Sequence, residues 1–93
     1  MIYWILIFQM ARATVIIKPF DDTGLGYGIF SIKKYEAIGK AFEAYCNEVG
    51  MYRSEVMFST TVSGMNDETM AMEICQDETF VIRVDLAENE LEL

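Results

Sequence analysis

Ninety-three residues with a formal charge of −8 leave room for one small domain, since a chain of this length buries only about 60–65% of its unfolded surface. The acidic balance excludes phosphate-backbone binding as the main activity, which needs clustered cations that displace counterions. With no histidine, and with two cysteines outside any C-x-x-C spacing, a structural zinc site within one chain lacks ligands, and no metal or cofactor is implied.

The chain opens on "MIYWILIF", too short an apolar run to span a bilayer, which takes about 20 residues. A secretory reading has an A-x-A-like site at Ala11–Ala13 in its favour, but lacks a basic region before the apolar one. Residues 1–13 are therefore expected to be an apolar extension: either an extra strand of the sheet, or a segment absent from the working protein, with translation starting at Met10.

From Thr14 the string "TVIIKPF" is rich in β-branched residues and predicts a strand ending at Pro19, which cannot donate a ladder hydrogen bond. "DDTGLGYG" supplies turn formers for a hairpin loop. "YGIFSIKK" returns as strand two, with Phe30 and Ile32 on one face and Ile29, Ser31 and Lys33 on the other.

A helix is expected from about Glu36 to Val49. Ile38, Ala41, Phe42, Tyr45 and Val49 recur at three- and four-residue steps, Glu36 and Lys40 make an i,i+4 pair, and Gly50 stands where a left-handed residue is wanted. Gly39 is expected to weaken it by about 1 kcal/mol relative to Ala. Cys46 lies one step off the stripe's centre, a place that suits either packing or chemistry.

"EVMFST" reads as strand three with Val56 and Phe58 inward. "FVIRVDL", Phe80 to Leu86, reads as the last strand, with Val81 or Ile82 and Val84 available to the core. Between them lies a Met-rich connector, read as irregular, whose methionines either fill space under the sheet or form an adaptable contact surface. Residues 87–93 are an acidic tail expected to fray. A helix that follows a hairpin buries its stripe by lying across the sheet's apolar face, which gives a two-layer α+β roll.

Six of the seven cations lie at or before Arg53, whereas nine of the fifteen acids lie from Asp67 onward. A basic or amphipathic protein partner is the better match to this balance. "GLGYG" imitates a phosphate loop but leads into a strand rather than a helix, so it reads as a turn. The adjacent carboxylates Asp21–Asp22 and Asp77–Glu78 lie on loops without a cleft to desolvate either member. No enzyme is implied.

In that order the residues "FSIKKYEAIGKAFEAYCNEVGM", "VMF" and "MEICQDETFVIRV" resemble SUMO and the SUMO-like branch of ubiquitin-fold proteins over roughly Thr14 to Leu86. The resemblance rests on the F-x-I-K strand at Phe30–Lys33, "AYC" at Ala44–Cys46 with Gly50 four residues on, Phe58, and the acidic turn leading into "FVIRV". It implies a ubiquitin-like β-grasp roll, a four- to five-stranded mixed sheet with one main helix across it, spanning residues 14–86.

Two lone cysteines read as reduced, partly buried thiols of an intracellular protein, nuclear or cytoplasmic, with a single disulfide as the alternative, and the resemblance implies that Cys46 is structural. It implies non-covalent binding by strand addition beside strand two, through Phe30, Ser31, Ile32, Lys33 and Lys34 with Lys40 and Ala41 on the helix. The partners so implied are proteins carrying SUMO-interacting-type hydrophobic and acidic peptides, and a SUMO-pathway conjugating enzyme, with neither nucleic acid nor membrane as the main partner.

Two departures qualify the match. The tail "VDLAENELEL" has no Gly-Gly, so the chain as written cannot be a donor modifier; the alternatives are a modifier with an incomplete gene model, or a homo-assembly module that uses the apolar N-terminus. Gly64 is displaced from the turn the family has after strand three. In addition, Glu48 stands where the family often has a basic residue.

Overall fold

The computed structural model describes residues 11–62, 64–74 and 78–87. The apolar extension up to Met10, Cys75, Asp77 and the tail from Glu88 lie outside the described residues.

Strand β1 (Arg12–Pro19) alternates as its sequence demands: Ala13, Val15 and Ile17 are fully buried, while Arg12 and Lys18 are exposed. It begins two residues before the expected Thr14, because Arg12 and Ala13 pair with Lys33 and Ile32 of β2 (Gly28–Lys33). Among the described residues β1 lies inside a four-stranded sheet, with β4 (Thr79–Leu86) and β3 (Val56–Ser59) completing the order β2–β1–β4–β3. It runs antiparallel to β2 and parallel to β4, which in turn pairs antiparallel with β3. The inward residues are Phe30 and Ile32 on β2, Ile82 and Val84 on β4, and Val56 and Phe58 on β3.

Helix α1 (Gly39–Val49) lies across that face, with Ala41, Phe42, Tyr45 and Cys46 buried. The stripe reads as expected, but the helix starts at Gly39 rather than Glu36. Before it, Ala37 bridges Met70, and the N–H groups of Ile38 and Gly39 donate to the carbonyls of Thr69 (2.7 Å) and Asp67 (2.9 Å). The connector thus satisfies donors that a longer helix would have left open at its own start. Gly50 ends the helix in the left-handed region (φ 72°), where both its own N–H and that of Met51 return to the Cys46 carbonyl.

The connector is not irregular throughout, and this corrects the sequence reading. Ala71–Ile74 forms a short helix, α2, whose Ala71 and Ile74 are buried. Four residues are too few to show a helical period; the turn is held by long-range bonds from Ala71 N–H to Glu36 O and from Met72 N–H to Lys34 O. Of the methionines, Met65 packs on the core, whereas Met57, Met70 and Met72 are exposed.

Aromatic rings fill the space between helix and sheet. Phe42 stacks on Phe58 with centroids 4.0 Å apart, and Tyr45 meets Phe30 and Phe58 edge-on. The Tyr45 hydroxyl donates to the Gly26 carbonyl at 2.7 Å, pinning the β1–β2 loop to the helix. Arg53 closes the other end: its guanidinium lies over Phe42 and Phe58 and grips Asp67 through two nitrogens, at 2.7 and 2.6 Å. No helix among the described residues is long and apolar enough to cross a membrane.

Candidate functional site

Among the described residues β2 has one strand neighbour, β1, and no described strand pairs with its other edge. Lys34 N–H bonds the Ala11 carbonyl, and antiparallel alternation then turns the backbone groups of Ile32, Phe30 and Gly28 toward β1 and those of Ile29, Ser31 and Lys33 toward the free edge. The edge is partly occupied by the chain's own side chains. Glu36 accepts from Lys33 N–H at 2.8 Å and donates its own N–H to the Lys33 carbonyl at 2.9 Å. Arg12 donates to the Ser31 carbonyl at 3.0 Å and to its hydroxyl at 2.7 Å. Among the described residues this leaves the N–H and C=O of Ile29 and the N–H of Ser31 without partners. The open ladder, Ile29 to Ser31, is shorter than the expected Phe30–Lys34 and lies nearer the start of β2.

The structure brings the predicted residues into one neighbourhood, in unequal roles. Ser31 and Lys40 are exposed, Lys33 and Lys34 half-buried, and Phe30 is half-buried with its ring turned onto Tyr45. Ile32 and Ala41 are buried, so they form the floor beneath the strand and the helix rather than a contact surface. Lys40 is ion-paired with Glu36 at 2.6 Å, a contact that lowers the Glu36 pKa and raises that of Lys40. Glu36 and Arg12 are the functional neighbours that the sequence reading missed. In the sequence Glu36 reads as a helical partner of Lys40, although its place three residues after Lys33 also suits a side-chain bond back to the strand end. Arg12 carries no local signal, since its bond to Ser31 exists only once the β1–β2 register is set.

No protein-family model and no curated protein sequence matches the chain. Solved structures do. Ubiquitin of Caldiarchaeum subterraneum gives a TM-score of 0.70 at 8% identity, over 85% of this chain and 98% of that one. The solution structure of SUMO from Trypanosoma brucei gives 0.67 at 21% identity, over 86% and 76%. A chain of the crystal structure of a pParkin–pUb–UbcH7 complex gives 0.66 at 15% identity over 84% of this chain, which spans only 24% of that one. The chain has a ubiquitin-like β-grasp fold. At these identities the likeness is one of fold, and function has to be argued from the β-grasp's own surfaces.

Within the β-grasp, the Cys46 thiol is 4% exposed. Burial pushes its pKa up, outweighing the opposing pull of Arg53. A thiol so placed is a packing group, because nucleophilic cysteines need a lowered pKa and access. Burial likewise raises the pKa of Tyr45. Both groups therefore keep their protons longer in the folded chain than in the unfolded one. The Cys46 contribution is intact below the ordinary thiol value of 9.0 and that of Tyr45 below the ordinary phenol value of 10.0, and each is lost as pH rises above it. Urea midpoints are expected to hold up to about pH 8.5 and then fall. A Cys46→Ala variant should show a shallower alkaline decline, and an identical decline would assign the effect elsewhere.

Proposed function

We propose that this β-grasp is a non-catalytic protein-interaction domain that binds a short extended peptide by strand addition along the free edge of β2. The observation that carries this reading is that, among the described residues, the N–H and C=O of Ile29 and the N–H of Ser31 have no partner, beside Lys33, Lys34 and Lys40. Main-chain bonds to such an edge supply affinity, and neighbouring lysines select acidic flanks. The ligand class is a β-branched hydrophobic peptide with acidic neighbours, of the SUMO-interacting type, in proteins that share an intracellular compartment, nuclear or cytoplasmic, with this chain; a SUMO-pathway conjugating enzyme is a further partner. Cys46, buried and with a raised pKa, speaks against thiol catalysis.

The test is a titration with a peptide of the V-I-D-L type, followed through backbone amides. Shifts should centre on Ile29 to Ser31 and extend to Lys33 and Lys40. Perturbation confined to the β3 edge, or none at millimolar peptide, refutes the reading.

Glu36 gives the titration a signed control. Its carboxylate holds Lys33 N–H and neutralises Lys40, so a guest's acidic flank competes with it for both. Glu36→Ala is expected to tighten peptide binding by roughly three- to tenfold. Weaker binding in that variant would mean that the carboxylate organises the edge rather than occupying it.

A further inference from the structure

The turn between β2 and α1 joins three parts of the fold. Lys34 donates its N–H to the Ala11 carbonyl at 3.1 Å, just before β1, and its own carbonyl accepts from Met72 N–H at 2.8 Å, in α2. Ala37 pairs with Met70. The bonds on either side of that pair, Ala71 N–H to Glu36 O and Ile38 N–H to Thr69 O, make it the non-hydrogen-bonded kind, whose side chains lie closest. Three large apolar side chains are left exposed around this junction: Tyr35 (39%), Met70 (38%) and Met72 (39%). Ala71 and Ile74 of α2 are buried, so the short helix is anchored and presents its methionines outward.

Charge does not favour an ionic guest here. Lys33 Nζ lies 5.7 Å from the Tyr35 ring centroid, and the Glu73 carboxylate accepts from Met70 N–H at 2.8 Å, so the junction carries one charge of each sign. The chain itself supplies an uncharged apolar run. None of its first ten side chains is charged, and "MIYWILIF" is apolar throughout. That segment enters the described fold at Ala11, one hydrogen bond from Lys34 and, through it, two from Met72. Two ladder spacings amount to roughly 10 Å, which three extended residues span.

We propose that residues 2–8 fold back over this junction and seat Phe8 and Trp4 on Tyr35, Met70 and Met72, tying the entry of β1 to α2. Phe8 stands three residues before Ala11 and so reaches Met72. Trp4 has up to about 13 Å further to run, enough for Met70. Withdrawing the apolar run from water drives the docking. Methionine side chains adapt to the rings they meet, and sulfur against an aromatic edge adds to the area covered. The free edge of β2 is the poorer seat for the same segment: the chain would have to round the turn after Lys33, and Glu36 already fills Lys33 N–H at the near end.

Trp4 is the only tryptophan of the chain, so its fluorescence reads the contact directly. In the full chain its emission should be blue-shifted, and acrylamide should quench it roughly threefold less than free N-acetyl-tryptophanamide. Met70→Lys and Met72→Lys should each move both signals toward the free value. Met57→Lys, at an exposed methionine on β3, should not. A second measurement leaves the described fold untouched: Trp4→Ser in the full chain should shift the methyl signals of Met70 and Met72. The proposal is overturned if Trp4 emits and is quenched like the free compound, or if Met57→Lys acts as strongly as Met72→Lys. It is overturned if Trp4→Ser moves the amides of Ile29 and Ser31 in place of the two methyls, which would lay the segment along β2. It is overturned equally if the shielding fades on dilution as a dimer dissociates in sedimentation, or arises only when phosphatidylcholine–phosphatidylserine vesicles are added, since a second copy or a lipid surface would then be the cover.

Discussion

Phe42→Ala is expected to cost about 3–5 kcal/mol, the usual range for emptying a buried phenylalanine site. Phe42 is 1% exposed and stacks flat on Phe58 with 3° between the ring planes. Arg53 covers both rings while holding Asp67, so removing one ring also loosens the lid. A domain of this size has roughly 5–14 kcal/mol of stability in total, so the variant should lose about a fifth of it or more. Its thermal midpoint should fall by roughly 15–30 °C. Phe58→Ala should cost less, because Phe58 is only partly buried. The double variant should cost less than the sum of the two, since each single change already forfeits the shared stack. A loss below about 1 kcal/mol for Phe42→Ala would mean that the ring does not anchor the helix to the sheet.

Phe42 also shows what local pattern could reveal. Its place in the stripe from Ile38 to Val49, and the inward set Phe30, Ile32, Val56 and Phe58, follow from periods of 3.6 and 2 that any window of the sequence displays. The position of β1 between an antiparallel and a parallel neighbour does not. "TVIIKPF" reads the same in a central strand as in an edge strand, and the β1–β4 pairing joins residues more than sixty positions apart. Helix α2 was hidden for a related reason: what stabilises Ala71–Ile74 is the backbone of Lys34 and Glu36, not its own four residues. The candidate edge was legible as a set of residue types, through a resemblance. Its occupancy by Glu36 and Arg12 was not, because hydrogen bonds from side chain to edge depend on where the chain turns after Lys33 and on the register of β1 against β2.

Gly39 tests this difference between local propensity and tertiary context by the sign of one measurement. Propensity alone says that Gly39→Ala stabilises the helix, by up to about 1 kcal/mol. In the folded chain a Cβ at Gly39 would lie 2.6 Å from the Asp67 carbonyl oxygen and 3.0 Å from the Asp67 Cβ. The oxygen is backbone, and it accepts the Gly39 N–H at 2.9 Å. Asp67 cannot easily retreat, because two Arg53 nitrogens hold its carboxylate and the next turn of the connector is tied to Ile38 through Thr69. Relief would have to come from breaking these bonds or from lifting the first turn of α1 off the connector. Such overpacking costs about 1–3 kcal/mol, which exceeds any gain in propensity. Gly39→Ala should therefore lower the urea midpoint at unchanged m-value, and Glu43→Ala, exposed one turn further on, should leave it nearly unmoved. A raised midpoint for Gly39→Ala would mean that the connector yields at little cost, and that the close approach of Asp67 to α1 does not hold the start of the helix in place.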